Sequence, residues 1–142
     1  MKVYNIGYQQ KRINIFCEML REAGVETLID VRERAWSNRP EYRKQALRMA
    51  LGSVGIEYIH LKSAGNPFRP KNGIAEDFAA CKAAYTKHLK QNFGVVAEAL
   101  SLAARTRSAF FCYEADRCGC HRDVLLREIA KSNATPVEIV DL

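Results

Sequence analysis

The residues best suited to chemistry lie together in FFCYEADRCGCHRDVLLREIAK, residues 110–131, where Cys112, Cys118, Cys120 and His121 fall within ten positions. Thiols and an imidazole at this density allow three kinds of site: a metal centre, a reactive thiol, or a redox pair. For a metal, the order Cys-x5-Cys-x-Cys-His differs from the usual zinc pattern, in which ligands pair at spacings of two to four. Adjacent Cys120 and His121 on a helix would also point about 100° apart. No metal and no cofactor is therefore expected.

A reactive thiol has stronger physical support. Cys120 opens the predicted helix CHRDVLLREIAK, where unsatisfied N–H groups and the helix dipole favour a negative sulfur. His121 and Arg122 add nearby positive charge, a setting that activates thiols. Cys112 and Cys118 are the candidate redox partners. The plain alternative is that Cys120 packs, inert, against a sheet. Cys17 and Cys81 sit on apolar helical faces and read as packing, because free cysteine behaves as a small hydrophobe.

Charge provides a second pointer. Nine basic and three acidic residues lie between Arg32 and Asn72, so this segment carries the whole net charge of +6. Such a concentration suits an anionic partner, whether phosphate, nucleotide or nucleic acid, or else forms a solvated face. Trp36, in the polar loop ERAWSNRP, either stacks on a base or folds back onto the core. No helix-turn-helix, zinc-finger or RNA-recognition pattern is present.

The elements that must position these residues alternate regularly. KVYNIGY, VETLIDVR, IEYIHL, SAFFCYE and PVEIVDL read as strands. Between them, RINIFCEMLREAGV, EYRKQALRMALGSVG, IAEDFAACKAAYTKHLKQ, FGVVAEALSLAAR and CHRDVLLREIAK read as helices. KSAGNPFRPKNG, with two prolines and two glycines, reads as a long loop. This pattern predicts an α/β fold, a three-layer sandwich with a mainly parallel central sheet of about five strands. Residues 1–142 are expected to form a single domain.

In such sheets ligands sit beyond the C-terminal strand ends. That edge would gather Tyr8, Asp30, Arg32, His60, Cys112 and Glu114, together with Cys120. The pocket so predicted has Arg32 and Arg122 binding an anion, with Tyr8 beside them. Arg39, Lys62 and Arg69 would form a basic rim. Glu114 or Asp30 would serve as acid or base, Cys120 as nucleophile, and His121 as a proton shuttle if its ring faces the pocket.

Four motifs in order resemble the DUF488 family of uncharacterised bacterial and archaeal proteins. They are Ile6-Gly7-Tyr8, Asp30-Val31-Arg32, Gly55-Ile56-Glu57-Tyr58-Ile59-His60-Leu61, and Cys112-Tyr113-Glu114 followed by Cys120-His121-Arg122. The likeness spans nearly the whole chain and departs from the pattern in ERAWSNRP and in KSAGNPFRP. It implies the α/β fold and the choice of site, and it supplies no reaction.

The function expected is binding, alone or coupled to processing, of a phosphorylated or nucleic-acid ligand in a polar pocket at the C-terminal ends of the strands. A thiol-redox or sulfur-transfer role for Cys120 with Cys112 or Cys118, and a non-catalytic interaction module, stand as alternatives. The short apolar runs exclude a membrane helix, which needs roughly 18 residues or more. The N-terminal stretch lacks a signal-peptide pattern, so a cytoplasmic protein is expected. A homodimer across an edge strand or an apolar helix face is compatible with the pattern.

Overall fold

The computed structural model describes residues 1–68 and 78–142. In chain order the regular elements are β1 (Lys2–Gly7), α1 (Ile13–Glu22), β2 (Thr27–Asp30), α2 (Lys44–Ser53) and β3 (Glu57–His60). They continue with α3 (Phe78–Gln91), α4 (Phe93–Arg105), β4 (Ser108–Cys112), α5 (His121–Ser132) and β5 (Glu138–Asp141). The five strands form one sheet in the order β3-β2-β4-β1-β5. Every pairing is parallel, with Tyr4 opposite Ala109 and Leu28 also opposite Ala109. The α/β sandwich expected from the alternating pattern is present, and its sheet is wholly parallel.

Side chains alternate across the sheet because successive residues of a strand point to opposite faces. Tyr4, Ile6, Leu28, Ala109 and Phe111 pack with Phe16 and Leu20 of α1 and with Leu47 and Leu51 of α2. Val3, Ile29, Phe110 and Cys112 face the other way, towards Tyr85 and Leu89 of α3, Val96 and Ala99 of α4, and Leu125 and Ile129 of α5. Helices therefore cover both faces, which is why the strands read as nearly unbroken apolar runs. Fully burying a side chain such as Phe16 or Leu20 contributes roughly 1.5–3 kcal/mol.

Two local features set the site's frame. Gly24 takes a φ of 73° just past α1, a left-handed conformation that ends the helix without a Cβ clash. Cys120 is the N-cap of α5, extended at φ −137° and ψ 150°, and its sulfur accepts a hydrogen bond from the Arg122 N–H. Oxygen-bearing side chains usually fill that position. The chain leaves β1 and β2 towards one face of the sheet and leaves β4 towards the other. The end of β4 is thus a switch point, where open parallel sheets commonly hold ligands.

Candidate functional site

At the end of β4, Cys112, Cys120 and His121 are all buried, and one donor atom from each lies within 4.8 Å of the others. The Cys120 sulfur is 3.6 Å from His121 Nδ1 and 3.4 Å from the backbone nitrogen of Arg122. His121 Nε2 lies 2.9 Å from the carbonyl oxygen of Val31, which can only accept. Nε2 therefore carries a proton, and in the neutral imidazole Nδ1 turns its lone pair towards the Cys120 sulfur. The Tyr85 ring meets the imidazole edge-on at 5.1 Å.

The thiol of Cys112 is fully buried, and its pKa is raised well above the ordinary 9.0, first by hydrogen bonding with Cys120 and then by burial. At neutral pH it is a thiol that faces Cys120. The 100° divergence expected for adjacent helical residues does not arise, because Cys120 is extended and only His121 is helical. Cys118 stands apart, exposed on the turn at 117–119 that precedes Cys120. Cys17 is buried, as a packing residue should be, whereas Cys81 is only half-buried.

Asp30 and Arg32 form a second cluster on the opposite face of the sheet edge. Arg32 Nε and Nη2 donate to both carboxylate oxygens of Asp30, the closest contact being 2.8 Å, and Nη1 donates to the Tyr42 carbonyl. Tyr58 donates its hydroxyl proton to Asp30 Oδ2 at 2.5 Å. Burial opposes the charge on Arg32, yet the Asp30 carboxylate outweighs it and holds the guanidinium firmly protonated. Burial, then the charge of Asp30, push the Tyr58 hydroxyl upwards, so it stays a donor. The Arg32 guanidinium also lies over the Phe111 ring, 4.8 Å from its centroid.

Arg122 is completely buried, with Nη1 donating to the Ile6 carbonyl and Nη2 to the Glu114 carbonyl. It ties the loop after β4 to the end of β1. At that crossing a Cβ on Gly7 would lie 1.7 Å from the Glu114 carbonyl oxygen, so only glycine permits the approach. Tyr8 is buried too, stacked on Tyr42 at a centroid distance of 4.4 Å. The predicted edge thus brings these residues together, but their side chains divide between the two faces of the sheet. Arg32, Arg122 and Tyr8 are all buried, and the two guanidiniums donate to backbone carbonyls of Tyr42, Ile6 and Glu114.

Outside these clusters, Arg39 binds inwards through the carbonyls of Tyr8 and Lys11 and pairs with Glu41. His60 Nε2 donates to the Arg32 carbonyl at 2.7 Å. Lys62 is exposed, and Arg69 lies outside the described residues. Trp36 is 45% exposed, so the indole does not fold back onto the core. The guanidiniums of Arg34 and Arg43 lie 5.6 and 4.8 Å from its ring centroid.

A family model described as "Domain of unknown function DUF488" matches residues 12–129. The chain belongs to the DUF488 family. No curated protein and no solved structure matches it. The match includes Asp30-Val31-Arg32 and Cys120-His121-Arg122, so both buried clusters of this DUF488 protein fall within it.

Three participants escape a reading of sequence alone: the Val31 carbonyl, Tyr85 and the hydroxyl of Tyr58. A backbone carbonyl leaves no mark in a sequence, and Tyr85 is one aromatic among many on an apolar helix. The pairing of Asp30 with Arg32 did have a signal, since residues two apart on an extended chain share a face. The same periodicity separates Phe111 from Cys112. No helix among the described residues is long and apolar enough to cross a membrane.

Proposed function

We propose that this DUF488 protein is a thiol-redox protein in which Cys120 is the reacting sulfur and Cys112 its partner. One observation carries the reading: the Cys120 sulfur meets the lone pair of His121 Nδ1 and the Arg122 N–H, beside the Cys112 thiol. His121 takes the Cys120 proton, and the Arg122 N–H in the first turn of α5 stabilises the sulfur's negative charge. The pair is 0–3% exposed, which favours a small oxidant such as a hydroperoxide. Cys120 attacks the O–O bond to give a sulfenic acid and release hydroxide. Cys112 then displaces the sulfenic hydroxyl, and the disulfide forms. With hydrogen peroxide, two thiols give one disulfide and two waters.

The test is peroxide treatment of the reduced protein followed by peptide mapping. A Cys112–Cys120 link is expected, forming at least tenfold more slowly in His121→Asn. Oxidation confined to the exposed Cys118, with Cys112 and Cys120 recovered as free thiols, would overturn the reading.

A second reading rests on Trp36, an exposed indole flanked by two guanidiniums within the basic segment. Such a surface suits single-stranded nucleic acid, with a base on the ring and phosphates on the cations. Trp36 is the chain's single tryptophan, so its fluorescence reports binding directly. Quenching by an oligonucleotide that fades steeply with added salt is expected. Fluorescence unchanged at low salt would dismiss it.

A further inference from the structure

We infer that the reduced Cys112–Cys120 pair and Nδ1 of His121 form a zinc site with an open fourth position. The inference goes beyond the redox reading, although it uses the same two sulfurs and requires them reduced. Zinc takes cysteine sulfur at about 2.3 Å and histidine nitrogen at about 2.0–2.1 Å, so a tetrahedral sulfur–nitrogen edge measures about 3.6 Å. The Cys120 sulfur and His121 Nδ1 are already 3.6 Å apart. With all three donors within 4.8 Å, closure of the remaining edges requires shifts of at most about 1 Å.

The surroundings match what such a metal requires. A ligating histidine normally donates its other N–H to a carbonyl or carboxylate, which fixes tautomer and ring orientation. His121 does so through Val31, leaving the correct nitrogen free. The Arg122 N–H supports negative charge on Cys120. Two buried thiolates beside each other would repel, and a divalent cation between them makes the group neutral. On binding, each thiol passes its proton to solvent and its sulfur takes the metal instead. Two cysteines and one histidine leave a coordination position open, the arrangement of catalytic rather than structural zinc.

Oxidation and metal binding then exclude each other. The disulfide removes two of three ligands, so peroxide would release the ion.

Cobalt(II) serves as the spectroscopic probe, added to the fully reduced, full-length protein and then displaced by zinc. One equivalent should produce thiolate-to-cobalt charge-transfer absorption with the intense visible bands of tetrahedral cobalt. Cys112→Ser and Cys120→Ser should each abolish or greatly weaken these bands, and His121→Ala should weaken binding at least tenfold. Cys118→Ser should leave them unchanged. Circular dichroism of each variant separates loss of ligand from loss of fold. A folded wild-type protein with titratable thiols and no charge-transfer band overturns the zinc site. Disulfide formation without metal binding removes only this inference, and metal binding without a disulfide removes only the redox reading.

Discussion

His121 Nε2 donates to the carbonyl oxygen of Val31, ninety residues earlier in the chain, across 2.9 Å. This bond joins α5 to the segment following β2 and fixes which imidazole nitrogen faces the thiols. His121→Phe keeps a ring of similar shape and leaves the buried carbonyl without its donor. A loss of about 1–3 kcal/mol is expected in urea unfolding. An unchanged midpoint would mean that another donor takes the carbonyl.

The Asp30–Arg32 pair is the most buried ion pair among the described residues, with side chains 0% and 4% exposed. Asp30→Asn retains the shape but leaves the guanidinium without its counter-charge. Removing one partner of such a pair costs about 3–5 kcal/mol. Tyr58→Phe deletes only the hydroxyl bond to Asp30, and about 1.5–3 kcal/mol is expected for a bond to a charged group. Denaturation of the two variants side by side tests the ranking.

Gly7→Ala places a methyl group where the Glu114 carbonyl oxygen already stands. The loop at 113–115 must retreat from β1, weakening the bond from Arg122 to Glu114. Faster amide exchange across residues 113–120 should accompany a stability loss of about 1–3 kcal/mol, the range typical of overpacking. Exchange confined to β1 would contradict this account.

Alkaline pH should destabilise the fold. Cys112 is held protonated above its ordinary 9.0 when folded. Between the unfolded and folded values the native state retains a proton that the unfolded chain has released. Stability is therefore unaffected by this group below about pH 8.5 and falls as pH rises above it. Urea midpoints from pH 7 to 10.5 should decline, and Cys112→Ala should flatten the slope. The raised hydroxyls of Tyr58 and Tyr85 extend the decline to higher pH.

Much of the architecture is legible in the residues. Ile13, Phe16, Cys17 and Leu20 have helical spacing and occupy α1. AFFC is apolar throughout, and with Ser108 before it becomes a strand buried along its whole length. Glycines and prolines mark most boundaries. EYR, at the start of the second predicted helix, instead belongs largely to a 3-10 turn at Pro40–Tyr42. Within the site, the gathering at the strand ends follows from topology. The distribution of side chains does not, because it depends on which face each residue meets and on partners remote in sequence. Arg122 illustrates the difficulty: an arginine at a helix start suggests an anion ligand, and only the tertiary fold turns it onto the Ile6 and Glu114 carbonyls.

The strand bearing Cys112 lies between β1 and β2, both made long before it. Tyr4 and Ala109, opposite each other in the sheet, are 105 positions apart, from 109 minus 4. During synthesis the early strands have no central neighbour until β4 arrives, and closing so long a loop is slow. Cys112 is then open to the thiol and metal chemistry of its surroundings until it docks. Its shielding thus reports that assembly is complete, and pulse alkylation during refolding would time that moment.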